Sequence, residues 1–196
     1  MAGEEHRPPP DVAEQTRAGF IEQLARELLA GADSPTPGSL LVTASTLLSI
    51  AAGDSDPSTT TATLVRGLSA WNRPECSAGA LAMATLVGDR GLRREVRRDA
   101  ADRGHLLPGW LVELHRAEPV VRAVELSTVF RDVDELVVGV TVPGGHCLTA
   151  TVRADNELGF RVVDGRLFAR PVDAVVTATV GGGDPDVRVR DITPAD

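Results

Sequence analysis

The sequence predicts an α+β fold, in which a helical N-terminal half is followed by a small antiparallel β-meander. Up to about residue 117, apolar residues recur at the three- and four-residue spacing of amphipathic helices. From Glu118 onward the chain consists of short runs rich in Val, Thr and Leu, which is the composition of β-strands. Because the segments between these runs are too short for the crossovers of a parallel sheet, we expect antiparallel hairpins.

This change in composition divides the chain into four segments. We expect a disordered tail over residues 1–10, a helical subdomain over 11–117, an antiparallel β subdomain over 118–192 and a tail over 193–196. The last segment offers Thr193 as a helix N-cap with Pro194 at the first helical position. We therefore expect that a C-terminal helix has been lost, or that a partner chain covers the final strand. A frayed polar tail is the alternative.

Helix-breaking residues mark the limits of the helices. Asp11 is a candidate N-cap for the first helix, a mostly buried second helix is expected over residues 39–52, and a third begins where Asp56 precedes Pro57. The segment NRPECS then separates this third helix from a helix of small residues, SAGALAMATLVGD. The alanine-rich face of that helix permits close helix packing. A charged helix over about residues 92–102 and one short helix in LPGWLVELHRA complete this half.

Four strands are expected in PVVRAVELSTVF, ELVVGVTV, CLTATVRA and FRVVDG. Before the third strand, residues 143–145 read PGG, which supplies the positive φ angles that tight hairpin turns require. The segment PVDAVV is interpreted as a turn or half-helix, and DVRVRDI as a final strand after a glycine-rich linker.

The composition excludes several chemistries. All 20 Lys+Arg residues are arginine, so the chain has no lysine for a Schiff base, a pyridoxal phosphate anchor or a P-loop. The formal net charge of −8 at pH 7 argues against a general nucleic-acid binder. We expect no cofactor.

The N-terminus, the longest apolar run and the cysteines indicate the cellular compartment of the protein. Cys76 and Cys147 form neither a disulfide framework nor a CxxC pair. The N-terminal MAGEEHRPPP lacks the basic and apolar regions of a signal peptide, and the apolar run LLVTASTLLSIAAG is too short to span a bilayer. These features predict a cytoplasmic protein without a membrane partner.

The stretch VPGGHCLTATVRADNELGF places His146 beside Cys147. Successive side chains of a strand point to opposite faces, so the two cannot share a ligand or act as base and nucleophile. The remaining histidines and the other cysteine lack the spacing of a zinc site. We therefore predict a hairpin here and no metal site.

Asp132, Asp134, Asp155 and Asp164 lie near the expected strand ends, where alternate ends of a meander come together. Paired carboxylates can do acid/base work, and His146 would complete a small hydrolase-like site. The candidate catalytic residues of the sequence are Asp132, Asp155, Asp164 and His146. Aspartate is also an ordinary residue of tight turns, and we interpret these aspartates first in that role.

The stretch STVFRDVDELVVGVTVPGGHCLTATVRADNELGFRVVDGRLFARP resembles a module of uncharacterised actinobacterial proteins, over roughly residues 120–171. In that module a V(F/Y)GD turn leads into an apolar strand, an H-apolar strand, a VDHNLGG turn and a KDAF strand. The resemblance implies no reaction. This chain departs from it, because residues 153–157 read RADNE where the module has VDHN, and RVVDGRLF replaces the KDAF strand. The histidine of the module is therefore lost.

The clearest charge pattern lies in residues 89–104, which read DRGLRREVRRDAADRG. At about 100° per residue, five arginines fall within about 140° of the helix circumference, beside one acidic and one apolar side. These are Arg90, Arg93, Arg94, Arg97 and Arg98. Like-charge pairs at i,i+4 each cost roughly a few tenths of a kcal/mol, so we expect an acidic group to offset them.

These patterns give three hypotheses for function. We favour a non-catalytic binding or regulatory module that binds an acidic protein surface, or another anion, through the five arginines. The alternatives are a small hydrolase-like enzyme using the strand-end carboxylates and a weak nucleic-acid binder, for which the chain has few stacking aromatics. An internal explanation is that the arginines dock on the aspartates of the sheet or are simply solvated.

Overall fold

The computed structural model describes residues 12–129, 133–156, 161–181 and 186–193, and within the first helix the side chains from residue 22 onward. In these ranges six helices precede a five-stranded antiparallel sheet, which confirms the predicted α+β class. The expected tail over residues 1–10, Asp11 as an N-cap and residues 194–196 lie outside the described residues.

The helices of the N-terminal half follow the predicted order. They are α1 (Val12–Ala32), α2 (Gly38–Ala52), α3 (Pro57–Ala70), α4 (Pro74–Leu86), α5 (Arg90–Asp102) and the four-residue α6 (Gly109–Val112), after which a 3₁₀ turn covers Leu114–Arg116. Asp56 caps α3 as expected, since its side chain accepts a hydrogen bond from the backbone N–H of Thr59 and Pro57 occupies the first turn.

Helix α4 is the centre of the helical half, and α1, α2, α3 and α5 all pack against it. Its residues from Glu75 to Ala84 are buried without interruption. The small side chains allow close approach, because a Cβ added at Gly79 would lie 2.7 Å from Leu28 Cδ2. The predicted role of this helix in close packing is therefore confirmed.

Four helix predictions need correction. Helix α2 is not mostly buried, because only four of its 15 residues are buried and both Val42 and Ile50 are exposed. Only Asn72 and Arg73 of the segment NRPECS lie between α3 and α4, because α4 already begins at Pro74, which takes the N-terminal position that suits proline. The charged helix begins at Arg90 rather than near residue 92, because Asp89 caps it. The single helix expected in LPGWLVELHRA is instead α6 and a 3₁₀ turn, divided at Glu113, whose φ of −100° and ψ of 4° leave the α-helical range.

The strands form one sheet in the order β4-β3-β2-β1-β5. They are β1 (Glu118–Thr128), β2 (Val133–Val142), β3 (His146–Asp155), β4 (Arg161–Phe168) and β5 (Val187–Ile192). The first four form the predicted meander, and β5 returns to pair antiparallel with β1 at the other edge. The β2–β3 turn contains Gly144 and Gly145 at φ +91° and +80°, as the PGG segment predicted.

The segment interpreted as a turn or half-helix is a full helix, α7 (Val172–Val180). Val172, Val175 and Val176 are buried at helical spacing against a cluster that includes Val124 and Val137 of the sheet. Gly139 lies beneath them, where an added Cβ would meet Val172 Cγ2 at 2.5 Å. Close contact with the sheet, rather than the low helix propensity of valine, determines the structure of this segment.

The opposite face of the sheet packs against the helical half. Val142 and Leu148 belong to the same buried cluster as Leu28, Leu81 and Leu111. The core of the helices therefore extends into the sheet, so the proposed division into subdomains at residue 118 stays a prediction. Among the described residues, no helix is long and apolar enough to cross a bilayer.

Candidate functional site

Helix α5 is held in a fixed orientation by its cap and its apolar side. Asp89 Oδ1 accepts hydrogen bonds from the backbone N–H of Gly91 at 2.7 Å and of Leu92 at 3.0 Å. Leu92, Val96 and Ala100 are buried, and the helix packs against α4 and α3. The predicted apolar side is therefore the side that anchors the helix.

The acidic side of α5 faces α3. Glu95 accepts two hydrogen bonds from the Arg66 guanidinium, at 2.9 and 3.2 Å. These bonds lower the pKa of Glu95 and raise that of Arg66, and the nearby charge of Arg98 also lowers the pKa of Glu95. The side chain of Ser69 donates to Asp99 Oδ2 at 3.3 Å, and Arg103 donates to the Ser69 carbonyl. Two acidic groups of the helix, Glu95 and Asp99, are thus used within the fold.

The five arginines of α5, which we call the arginine face, lie on the remaining side. Four are exposed, and Arg93, which borders the apolar side, is half-buried. None of the five guanidinium groups forms an ion pair or a hydrogen bond with a residue in the described part of the chain. The internal explanation in which they dock on the aspartates of the sheet is therefore not supported by any described contact. Solvation without a partner remains as the alternative to a binding role.

The position of these charges is unfavourable for the helix alone. Arg94 lies one turn from both Arg90 and Arg98, so it takes part in two like-charge pairs. Arg90 and Arg93 also place positive charge in the first turn, at the positive end of the helix dipole. The fold therefore gains little from this arrangement.

Replacing Arg94 by glutamate is expected to raise the free energy of unfolding by roughly 0.5–1 kcal/mol, because two repulsive i,i+4 pairs become attractive. Urea unfolding of R94E beside wild type measures the change. Arg188→Glu on an exposed strand position, where the side chain forms no described ion pair, is the matched control and should stay within about 0.5 kcal/mol of wild type. A clear loss of stability in R94E would show that the fold itself needs this arginine.

His146 and Cys147 lie in a hairpin strand, as the sequence predicts. His146 is paired with Val142 and Cys147 with Thr141, so their side chains point to opposite faces of the sheet. The imidazole of His146 packs over the turn, since a Cβ at Gly144 would lie 3.3 Å from its Cδ2 and Nε2. Among the described residues, no group of three His, Cys, Asp or Glu side chains could hold a metal ion.

The candidate carboxylates are only partly brought together. Asp132 lies outside the described residues. Asp155 ends β3, whereas His146 begins it, and a strand of ten residues separates its ends by about 30 Å. Asp164 is exposed and accepts a hydrogen bond from Arg166 at 3.1 Å. His146 therefore cannot assist Asp155 directly.

Asp134, which the sequence also placed near a strand end, pairs with Asn156, and this pairing was not predicted. Asp134 Oδ2 accepts a hydrogen bond from Asn156 Nδ2 at 2.7 Å, and its Oδ1 is buried without a partner in the described structure. Asp134 precedes the apolar run of β2, and Asn156 follows β3. Their approach depends on strand register, which the local pattern does not reveal.

The sequence also gave no signal for a buried serine–histidine pair. Ser77 Oγ of α4 lies 2.9 Å from His105 Nδ1, which follows α5. Ser77 is fully buried, so a substrate cannot reach its hydroxyl. This hydrogen bond holds the segment that follows α5 against α4. Cys76 beside it is equally buried, and desolvation raises the pKa of its thiol to about 11.

Comparison with protein-family models, with curated proteins and with solved structures gives no match. The class of the molecule is therefore defined by its fold, an α+β arrangement of a helical half and an antiparallel sheet. The function therefore has to be inferred from the arrangement of the described residues. Among the candidate groups described above, the arginine face brings the most charged side chains together.

Proposed function

We propose that the protein is a non-catalytic binding module, and that its arginine face binds an acidic surface of a partner protein. The observation that supports this proposal is that the five guanidinium groups make no ion pair with the described chain, whereas the acidic side of the same helix pairs with α3. A planar guanidinium binds carboxylates in a bidentate manner, as Arg66 does with Glu95. The arginine face offers the same chemistry to an external carboxylate.

The size of the surface suits a segment of a protein. The arginine face runs from Arg90 to Arg98 of α5, so it is about 12 Å long. Several carboxylates spaced along a helix or loop could then bind different arginines at once. The buried side of α5 makes the face rigid, which lowers the entropic cost of binding.

A nucleic acid is the less favoured occupant. The chain carries a formal net charge of −8, so a long polyanion would be repelled outside this face. Only 3% of the residues are aromatic, which leaves few side chains on which bases can stack. For catalysis, no described arrangement joins the strand-end carboxylates with His146.

The proposal places the protein in the cytoplasm. Cys76 and Cys147 are both free thiols, and Cys147 is exposed. Exposed free thiols are typical of reducing compartments, where disulfides are rare.

Affinity capture from host lysate, read by mass spectrometry, tests the proposal. The variant carries Arg93→Glu, Arg94→Glu and Arg97→Glu, and the control carries Arg153→Glu, Arg170→Glu and Arg188→Glu at exposed positions outside α5. Both variants have the same net charge, and their folding is checked by circular dichroism. We expect an acidic protein to be retained by wild type and control, to be lost by the variant, and to elute as salt is raised.

The same measurement separates the alternatives. Nuclease treatment of the lysate removes any partner that is held through nucleic acid, and retention that disappears on this treatment would favour the nucleic-acid hypothesis. Identical profiles for all three proteins would mean that the arginine face is only solvated.

A further inference from the structure

The two edges of the sheet differ in how they are protected. β4 and β5 are the edge strands, so each leaves one row of backbone groups unpaired within the sheet. On β5, Arg188 and Arg190 flank Val189, and such basic side chains discourage pairing with another strand. On β4, two adjacent valines stand in the corresponding place, flanked by Arg161 and Asp164, which carry opposite charges.

The β4 edge is apolar and exposed. Val162 and Val163 are 58% and 53% exposed. The neighbouring helix α2 adds Val42 at 47% and Ile50 at 62%. A groove between α2 and the last two strands of the meander is lined by apolar residues, among them Val42, Val162 and Val163, and by polar ones, among them Ser49, Asp164 and Arg166. Three exposed apolar side chains of the described chain, those of Val42, Val162 and Val163, therefore line one groove.

The charges around these valines identify the occupant of the edge. Residues 161–164 read Arg-Val-Val-Asp, which is a positive charge, two apolar residues and a negative charge. Adjacent side chains of a regular strand point to opposite faces, but Val163 is an extra residue at a bulge and lines the same groove as Val162. If a second identical strand runs antiparallel about a two-fold axis between these two residues, each valine therefore faces a valine. Each Arg161 then faces Asp164 of the other copy, and opposite charges directly across a strand pair are stabilising. An unrelated segment would meet these conditions only by coincidence.

We propose that the β4 edge is the surface through which two copies of this chain associate about a two-fold axis. Both copies use the same patch, so the assembly stops at the dimer. The β4 edge of each copy is then covered by the other copy. The pairing shift between Arg153 and Ala154 inserts one extra residue in β4, Val163, which limits the regular backbone ladder. The association therefore relies on the valines and the two Arg161–Asp164 pairs, and it is weak and concentration-dependent.

The carboxylate of Asp164 already accepts a hydrogen bond from Arg166 of its own chain. This ion pair is exposed, with 70% and 47% of the two side chains accessible. Asp164 Oδ1 also accepts a hydrogen bond from the backbone N–H of Gly165 at 2.9 Å. Each carboxylate oxygen has two lone pairs, so Asp164 can still accept from a second guanidinium, and the internal pair and the pair across the axis are compatible.

Sedimentation equilibrium of the full chain, from about 1 µM to about 1 mM, measures the association. We expect wild type to change from monomer to dimer within this range and to form nothing larger. Arg161→Asp places two like-charge pairs at the axis and should weaken the association at least about tenfold. Asp164→Arg should do the same. The double variant R161D/D164R restores opposite charges and should return to within about threefold of wild type.

Arg188→Asp on the β5 edge carries the same change of charge as R161D and should leave the association unchanged. The four variants alter exposed side chains, and their thermal unfolding midpoints are compared with wild type to confirm folding. A wild type that stays monomeric throughout would overturn the proposal. So would a dimer that R188D disrupts, or one whose single variants are not rescued by the charge exchange, because either result places the contact elsewhere.

Discussion

Replacing Leu81 by alanine is expected to lower the free energy of unfolding by about 2–5 kcal/mol. Leu81 is fully buried in α4, the helix against which α1, α2, α3 and α5 pack. Truncation removes apolar contact and leaves a cavity that the surrounding helices can fill only in part. Urea unfolding, followed by circular dichroism, measures the loss.

The matched control is Leu106→Ala, because Leu106 is 93% exposed and the chemical change is identical. We expect its free energy of unfolding to remain within about 0.5 kcal/mol of wild type. Equal effects of the two substitutions would contradict the placement of α4 at the centre of the core.

Gly31→Ala is expected to destabilise the protein by roughly 1–3 kcal/mol. Gly31 lies at the end of α1, where an added Cβ would stand 2.9 Å from both the Cα and the amide nitrogen of Leu40 in α2. These are backbone atoms, so the two helices themselves must move apart to admit the methyl group.

Gly67→Ala is the control, since it makes the same substitution in α3 with nothing within 4 Å of the new Cβ. Alanine has the higher helix propensity, so G67A should gain about 0.5–1 kcal/mol. Opposite signs for the two variants are expected in urea unfolding. If G31A is also stabilising, the close crossing of α1 and α2 is not present in solution.

The sequence predicted the elements whose local pattern agrees with their final environment. Asp56 before Pro57 predicted the start of α3, and the three sides of α5 predicted which side would be buried. The PGG turn predicted the hairpin that contains His146. In each case one short segment contains both the signal and the structure that it specifies.

The sequence was less informative where contacts with distant parts of the chain determine the secondary structure or the strand order. The valine-rich segment that forms α7 has the composition of a strand, but its buried valines rest on Val124 and Val137 of the sheet. Strand order also escaped prediction, because β5 pairs with β1 rather than with β4, its neighbour in sequence. The apolar edge at Val162 and Val163 follows from that order and could not be located beforehand.

The same distinction applies to the candidate site. Helical periodicity was sufficient to place five arginines on one side of α5. It could not show that Glu95 and Asp99 pair with α3, because Arg66 and Ser69 lie about 30 residues earlier in the chain. Coverage of the C-terminal strand by a partner chain stays a prediction, as does the resemblance of residues 120–171 to the actinobacterial module.

The most direct test of the central claim is the capture comparison between wild type and the variant with glutamate at Arg93, Arg94 and Arg97. If the arginine face is the binding surface, the variant folds as stably as wild type or more so and retains none of the acidic partner. The control at Arg153, Arg170 and Arg188 retains it fully. A variant that is folded and captures the same proteins as wild type would contradict the claim.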